Sequence, residues 1–209
     1  QTRVCLDGLI GSDSFELAGL DYAEQLHLLV LIQAVNLGMM LGCSNLFVKD
    51  ERQGPTGSFK DRGATTTLSL AHELGVERVV EDSSGNAGAA IATYAARAGI
   101  GCDVVMPTDT PQVFKAEVEA FGGTLIEHDG LIDDCGKIVA AQKEKKGWYD
   151  VSTLKEPYRA EGKKTMGLEI AEQLGYSPRV LVRLSLQDQL ASAGLEYEVA
   201  LKKQHRKAG

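Results

Sequence analysis

The sequence predicts an α/β protein with parallel sheets and helices on both faces. Two observations predict it. From residue 46 onward, apolar runs of three to five residues alternate with helix-like stretches of ten or more, the pattern of strands buried under flanking helices. These stretches also carry helix punctuation, with Ser or Pro at their starts and Gly just past their ends.

The uncharged segment from Leu26 to Val48 reads as a core helix followed by a buried strand, Leu46–Val48. A helix follows from Ser58, as N-cap, to Leu74, with Gly75 beyond it. Arg78–Val80 is a second strand, and Ala87–Ala98 is a small-residue helix closed by Gly99. Cys102–Met106 is a strand ended by Pro107, and Pro111–Phe121 a helix followed by Gly122 and Gly123. Thr124–Ile126 and Ile132–Lys146 make the next strand and helix, and Tyr149–Ser152 is extended. A helix over Glu161–Leu174, a strand over Val180–Leu184 and a helix from Gln187 to Lys203 complete the pattern.

Composition removes several function classes. A net charge of −7 argues against a general nucleic-acid surface, which needs a basic face. Cys5, Cys43, Cys102 and Cys135 lie too far apart for a metal knuckle or redox pair, and His27, His72, His128 and His205 are equally scattered. Reduced thiols in a cytoplasmic protein are the expectation, with no metal. The run 26–48 is broken by His27, Gln33, Asn36, Ser44, Asn45 and two glycines, so it does not suit a spanning helix, which needs ~20 predominantly apolar residues. No secretory signal pattern is visible. The first residue is Gln1, which leaves room for a fragment or processed product.

Ligands of such sheets gather where strands end and helices begin. Two junctions have that character. One carries Pro55-Thr-Gly-Ser-Phe-Lys60, which places an amine in the first turn of a helix. The other carries Ser83-Ser-Gly-Asn-Ala87, whose backbone N–H groups and helix end suit an anion, with Gly85 permitting close approach or a positive φ. Taken alone, the second is equally a polar N-cap turn. Together they supply an amine that can bond an aldehyde, an amide for a phenolic oxygen and an N–H cluster for a carboxylate.

"PTGSFKDRG" and "SSGNAGAAIATYAARAGI" resemble the lysine motif and asparagine loop of the tryptophan-synthase-β-like, fold-type II pyridoxal-phosphate enzymes, and within them the threonine synthases most of all. "VSTLKEPYRAEGKKTMGLEIAEQLG", residues 151–175, is similar to the segment of threonine synthases that returns to the larger domain. The resemblance runs from about Leu46 to Tyr176, and Asp61-Arg62-Gly63 favours the synthase over dehydratases of the same fold. It implies pyridoxal 5'-phosphate as cofactor, with Lys60 bonded to its aldehyde carbon and later moving protons, and Asn86 at its ring oxygen. It implies that Ser83, Ser84, Gly85 and Ala87 bind the substrate carboxylate. Arg159, with Ser152 and Thr153, is implied as the ligand set of a substrate phosphate; an interdomain salt bridge remains the alternative for Arg159. The implied reaction converts O-phospho-homoserine and water to threonine and phosphate, with an ammonia-lyase acting on serine or threonine, or a non-catalytic fragment of the fold, as alternatives.

The same resemblance divides the chain into a small Rossmann-like lobe over 61–155 and a partial large lobe from 1–60 and 156–209. Its ends depart from the family. Residues 1–45 lack the Gly-x-Thr-Pro-Leu-like segment, and 184–194 hold one glycine where the family has a glycine-rich cradle for the cofactor phosphate. Cofactor affinity is expected to be reduced accordingly, each lost charge-assisted hydrogen bond being worth ~1.5–3 kcal/mol. An incomplete large lobe leaves apolar faces uncovered, so a homodimer or other self-association is expected. Lys115, Lys163 and Lys164 read as solvated helix positions.

Overall fold

The computed structural model describes residues 29–175. In chain order the strands are β1 (Leu31–Gln33), β2 (Phe47–Lys49), β3 (Arg78–Asp82), β4 (Gly101–Pro107), β5 (Thr124–His128) and β6 (Tyr149–Asp150). The helices are α1 (Val35–Met40), α2 (Lys60–Glu73), α3 (Asn86–Ala98), α4 (Gln112–Ala120), α5 (Ile132–Lys146) and α6 (Tyr158–Leu174). The strand and helix expected at 180–184 and 187–203, and the 184–194 loop, lie outside the described residues.

β3 to β6 form a four-stranded sheet in the order β5-β4-β3-β6, with every pair parallel. Side chains of a strand alternate between faces, and the two faces of this sheet separate accordingly. Val79, Cys102, Val104 and Met106 pack with α2, α3 and α4 through Leu68, Ile91, Tyr94, Phe114 and Val118. Val80 and Val105 face the other way, onto Cys135 and Val139 of α5. With helices on both faces, β3 and β4 are buried almost throughout, including the carboxylates Glu81 and Asp103 among their apolar residues.

α6 lies across α2 at a close contact between glycines. A Cβ built on Gly162 would stand 2.1 Å from the Arg62 carbonyl oxygen, and one on Gly63 3.1 Å from that of Arg159. The helices therefore meet backbone to backbone, and this brings the start of α6 to the start of α2.

The segment before β2 departs from expectation. Among the described residues of this segment, from 29 onward, no core helix runs its length. Instead β1 pairs antiparallel with β2, separately from the parallel sheet, and the intervening α1 has only six residues. Hydrogen bonds from Ala34 N to Leu46 O (2.8 Å) and from Asp50 N to Val30 O (2.9 Å) close this hairpin-like unit. Gly38 packs so near the Cys43 carbonyl that a Cβ would lie 2.5 Å from it, so the chain must turn where a helix would continue. An uncharged apolar run does not by itself distinguish short strands from a helix.

α6 also starts three residues before its expected position, because Glu156 opens it. Its carboxylate accepts from Tyr158 N (2.6 Å) and Arg159 N (3.1 Å), satisfying N–H groups that the first turn leaves without partners.

Candidate active site

The turn that presents Lys60 is pinned on both sides of the lysine. Asp61 accepts from Thr56 N (3.1 Å) and Thr56 Oγ1 (2.5 Å), drawing the Gly-Pro-Thr-Gly-Ser turn onto the helix start. Ser58 Oγ accepts from Lys60 N (3.2 Å), so the predicted capping hydroxyl does its work although the helix proper begins at Lys60. Arg62 is wholly buried and forks both ways, to Glu51 (2.6 and 3.0 Å) and to Glu169 of α6 (2.6 and 2.8 Å), with Thr165 Oγ1 at 2.8 Å. Lys49 joins the cluster at 2.8 Å from Glu169. Burial pushes the Glu169 carboxyl up, but the bonds from Arg62 and Lys49 outweigh it and hold the group below its ordinary range. Burial lifts Asp61 to about 6, against the Thr56 hydrogen bonds.

Between these anchors, the Lys60 amine enters none of the ion pairs formed among the described residues. It lines a small pocket with Gly63, Ala64, Ala87, Ile91, Arg159 and Lys163. Ala87 is the second residue of α3, so the lysine turn and the asparagine loop border one cavity even though β2 lies outside the parallel sheet.

In that loop, Ser83 is buried and turned inward. Its Oγ accepts from Gly88 N (2.9 Å) and Gly85 N (3.2 Å) and donates to Gly85 O (3.1 Å), holding the loop in shape. Gly85 is extended, at φ 176°, so the positive φ allowed for in the sequence is not used. The neighbouring glycine is the constrained one: a Cβ on Gly88 would meet Met106 Cε and Val104 Cγ1 at 2.8 Å, so α3 starts hard against β4. Ser84 is exposed and Asn86 buried.

Residues 150–159 fold over the end of β3. Ser152 is buried, its Oγ accepting from Asp82 N (3.2 Å). Thr153 is exposed and accepts from Arg159 Nη1 (3.2 Å). Arg159 is buried, with Nη2 2.8 Å from Glu81 Oε1 on β3 and Nε 3.7 Å from Glu156. Neither Glu81 oxygen, nor Nε or Nη2 of Arg159, has a well-aligned hydrogen-bond partner, so this close pair is held chiefly by charge. Burial raises Glu81 to about 7, with the charges of Arg159 and Lys60 pulling it back.

Of the predicted site residues, then, Lys60, Ala87 and Arg159 share a pocket wall, while Ser83 and Ser152 brace the surrounding loops. One pocket residue, the Glu81 partner of another and one buried lysine outside the pocket escape the sequence reading. Lys163 is half-buried on the pocket rather than solvated, a placement signalled by its position one helical turn after Arg159. Glu81 reads from sequence as the first residue of the junction after Arg78–Val80, whereas β3 runs on to Asp82 and buries it. Lys115 is buried as well, donating to Thr108 O (2.7 Å) and Glu127 (2.5 Å), and so forms no solvated helix face.

A parallel sheet with a lysine turn and a helix-opening loop meeting at its strand ends is the architecture of fold-type II enzymes. The chain belongs to the pyridoxal-phosphate dependent enzyme family, whose model matches residues 30–185. It is similar to the threonine synthase of Methanocaldococcus jannaschii, 39% identical over 155 residues, which cover 73% of this chain and 38% of that protein. It is 40% identical over 153 residues to the threonine synthase of Mycobacterium tuberculosis, covering 72% and 42%. The chain thus matches about two fifths of the length of these curated relatives. Among solved structures, maize serine racemase superposes with a TM-score of 0.67 at 29% identity, covering 78% of this chain and 50% of that one. The processed form of threonine deaminase isoform 2 from Solanum lycopersicum gives 0.63 at 28%, covering 78% and 46%.

The residues present fit the family's cofactor at its aldehyde end. An amine that enters no ion pair among the described residues, in a pocket lined also by Gly63, Ala64 and Ala87, has the chemistry to bond an aldehyde. Among the described residues, no helix is long and apolar enough to cross a membrane.

Proposed function

We propose that this pocket belongs to a threonine synthase-type lyase, in which O-phospho-homoserine and water give threonine and phosphate. The observation that carries the reading is the meeting of Lys60, the first turn of α3 and Arg159 around one cavity. Lys60 holds the cofactor and its Nζ takes the proton from the substrate Cα, then serves Cβ. Asn86, buried at the first position of α3, donates to the cofactor's ring oxygen. Of the residues Ser83, Ser84, Gly85 and Ala87, Ser84 and Ala87 offer their backbone N–H groups to the substrate carboxylate at the positive end of α3, while Ser83 N donates to Val105 O (3.0 Å) and Gly85 N to Ser83 Oγ (3.2 Å) and so shape the loop. Arg159, steadied by Thr153 and with Ser152 nearby, takes the phosphate through its planar fork. The bound cofactor supplies an electron sink for the charge left on carbon. In this reading residues 61–155 form the small lobe, and 1–60 with 156–209 contribute to the large one.

The pairing of Arg159 with Glu81 favours a second reading, an ammonia-lyase acting on serine or threonine, whose substrate has no phosphate to bind. Incubation with cofactor and either O-phospho-homoserine or threonine separates the two. Inorganic phosphate and threonine released from the first, both lost in Lys60→Ala, is the expected result. Ammonia and a 2-oxo acid from threonine, with phospho-homoserine untouched, would overturn it.

A further inference from the structure

We propose that Glu81 is a specificity-determining positioning residue: an internal counter-ion that competes with the substrate's anionic group for Arg159. The inference rests on Arg159 being the anion ligand and adds what controls it. Both side chains are buried, at 0% exposure for Glu81 and 7% for Arg159. Arg159 lines the pocket beside Lys60 and Lys163, so that wall would carry three cations were Glu81 not behind it. The contact of 2.8 Å lacks hydrogen-bond alignment on both sides, so an anion that offers aligned acceptors can displace the carboxylate from the guanidinium.

A displaced, still ionised Glu81 would be buried without a partner, which is costly; protonation removes that cost. The groups that act on it are Lys60 from α2, Arg159 from α6, Asp82 on its own strand and the Cys102 thiol on β4. Burial has already brought it close to the point of taking up a proton. Anion binding at Arg159 is therefore coupled to proton uptake at Glu81. The pocket takes a strong anion readily when Glu81 is neutral and resists it when Glu81 is charged, while a substrate without an anionic leaving group is indifferent.

Calorimetric titration of the 209-residue chain with sulfate, which does not itself titrate near neutrality, tests this. Between pH 6 and pH 8 the wild-type affinity is expected to fall about tenfold, as one coupled proton requires. Buffers of different ionisation enthalpy should report about one proton taken up per sulfate at pH 8. Glu81→Gln should bind at pH 8 as tightly as the wild type does at pH 6, with no slope, and Glu81→Asp should restore the slope. A flat wild-type profile, or an unchanged slope in Glu81→Gln, overturns the proposal. Should Glu81→Gln fail to fold, absence of proton uptake by the wild type overturns it alone. Arg159→Gln in the Glu81→Gln background removes both halves of the Glu81–Arg159 pair and leaves Glu156 with its hydrogen bonds from Thr67 Oγ1 and the first-turn N–H groups of α6. Sulfate binding that survives in this double variant, or that is missing from every chain, overturns the Arg159 assignment itself. Binding lost there with no pH dependence in the wild type removes only the role of Glu81.

Discussion

Lys60 enters no ion pair among the described residues, while the two residues after it are engaged: Asp61 accepts from Thr56, and Arg62 pairs with Glu51 and Glu169. The Lys60 amine lines the pocket. Replacing Arg62 by Leu leaves Glu51 and Glu169 facing each other in a buried site, so a loss of about 3–5 kcal/mol in urea unfolding is expected. Arg62→Lys should also destabilise, since an ammonium cannot fork to both carboxylates. Glu81 gives a pH signature. Its folded pKa, about 7, is raised above the ordinary carboxylate value of 4.5. The native state therefore holds a proton that the unfolded chain has released, and the stabilising contribution, present in acid, is lost as pH rises from about 4.5 to about 7. Relative to Glu81→Gln, the wild type should lose on the order of 2–3 kcal/mol across that window, and equal pH dependence in the two chains would contradict this. The sequence shows Lys60 and the asparagine loop plainly, because a turn and a helix-opening loop are local chemistry. Glu81 and Lys163 are hidden because their burial depends on α6, whose first turn is brought to β3 by a crossing more than eighty residues further along the chain.

At the scale of elements, the α2–α6 crossing is the contact that assembles the pocket. Gly162→Ala would place a methyl 2.1 Å from the Arg62 carbonyl and should cost about 1–3 kcal/mol or more as the helices separate. Gly167→Ala, on the same helix with nothing within 4 Å, should instead stabilise by about 0.5–1 kcal/mol. Thermal unfolding of the two variants side by side checks both signs. Elements with strong caps and steady periodicity, such as Ile132–Lys146, are legible to the residue. Leu26–Val48 is not, because an uncharged run carries no period that separates two short strands from one helix, and the deciding contacts, Ala34 with Leu46 and Val30 with Asp50, are tertiary.

At the scale of the molecule, the described residues carry a run of exposed apolar side chains just before the lysine turn. Val30, Ile32, Val35, Leu37, Met39, Met40, Leu41 and Val48 are all exposed on the β1–α1–β2 unit. A patch of this kind favours association, so light scattering should show mass rising with concentration. Met39→Glu with Met40→Lys should shift the chain toward monomer, and a monomeric wild type at high concentration would contradict the expectation. In the proposed function the chemistry of this protein is carried by one amine, at position 60, in the helix that follows β2. Borohydride reduction after incubation with pyridoxal 5'-phosphate, followed by peptide mapping, tests it directly. A label confined to Lys60 and absent from Lys60→Ala is the predicted result; a label spread over Lys163 and the surface lysines, with Lys60 unmodified, would contradict it.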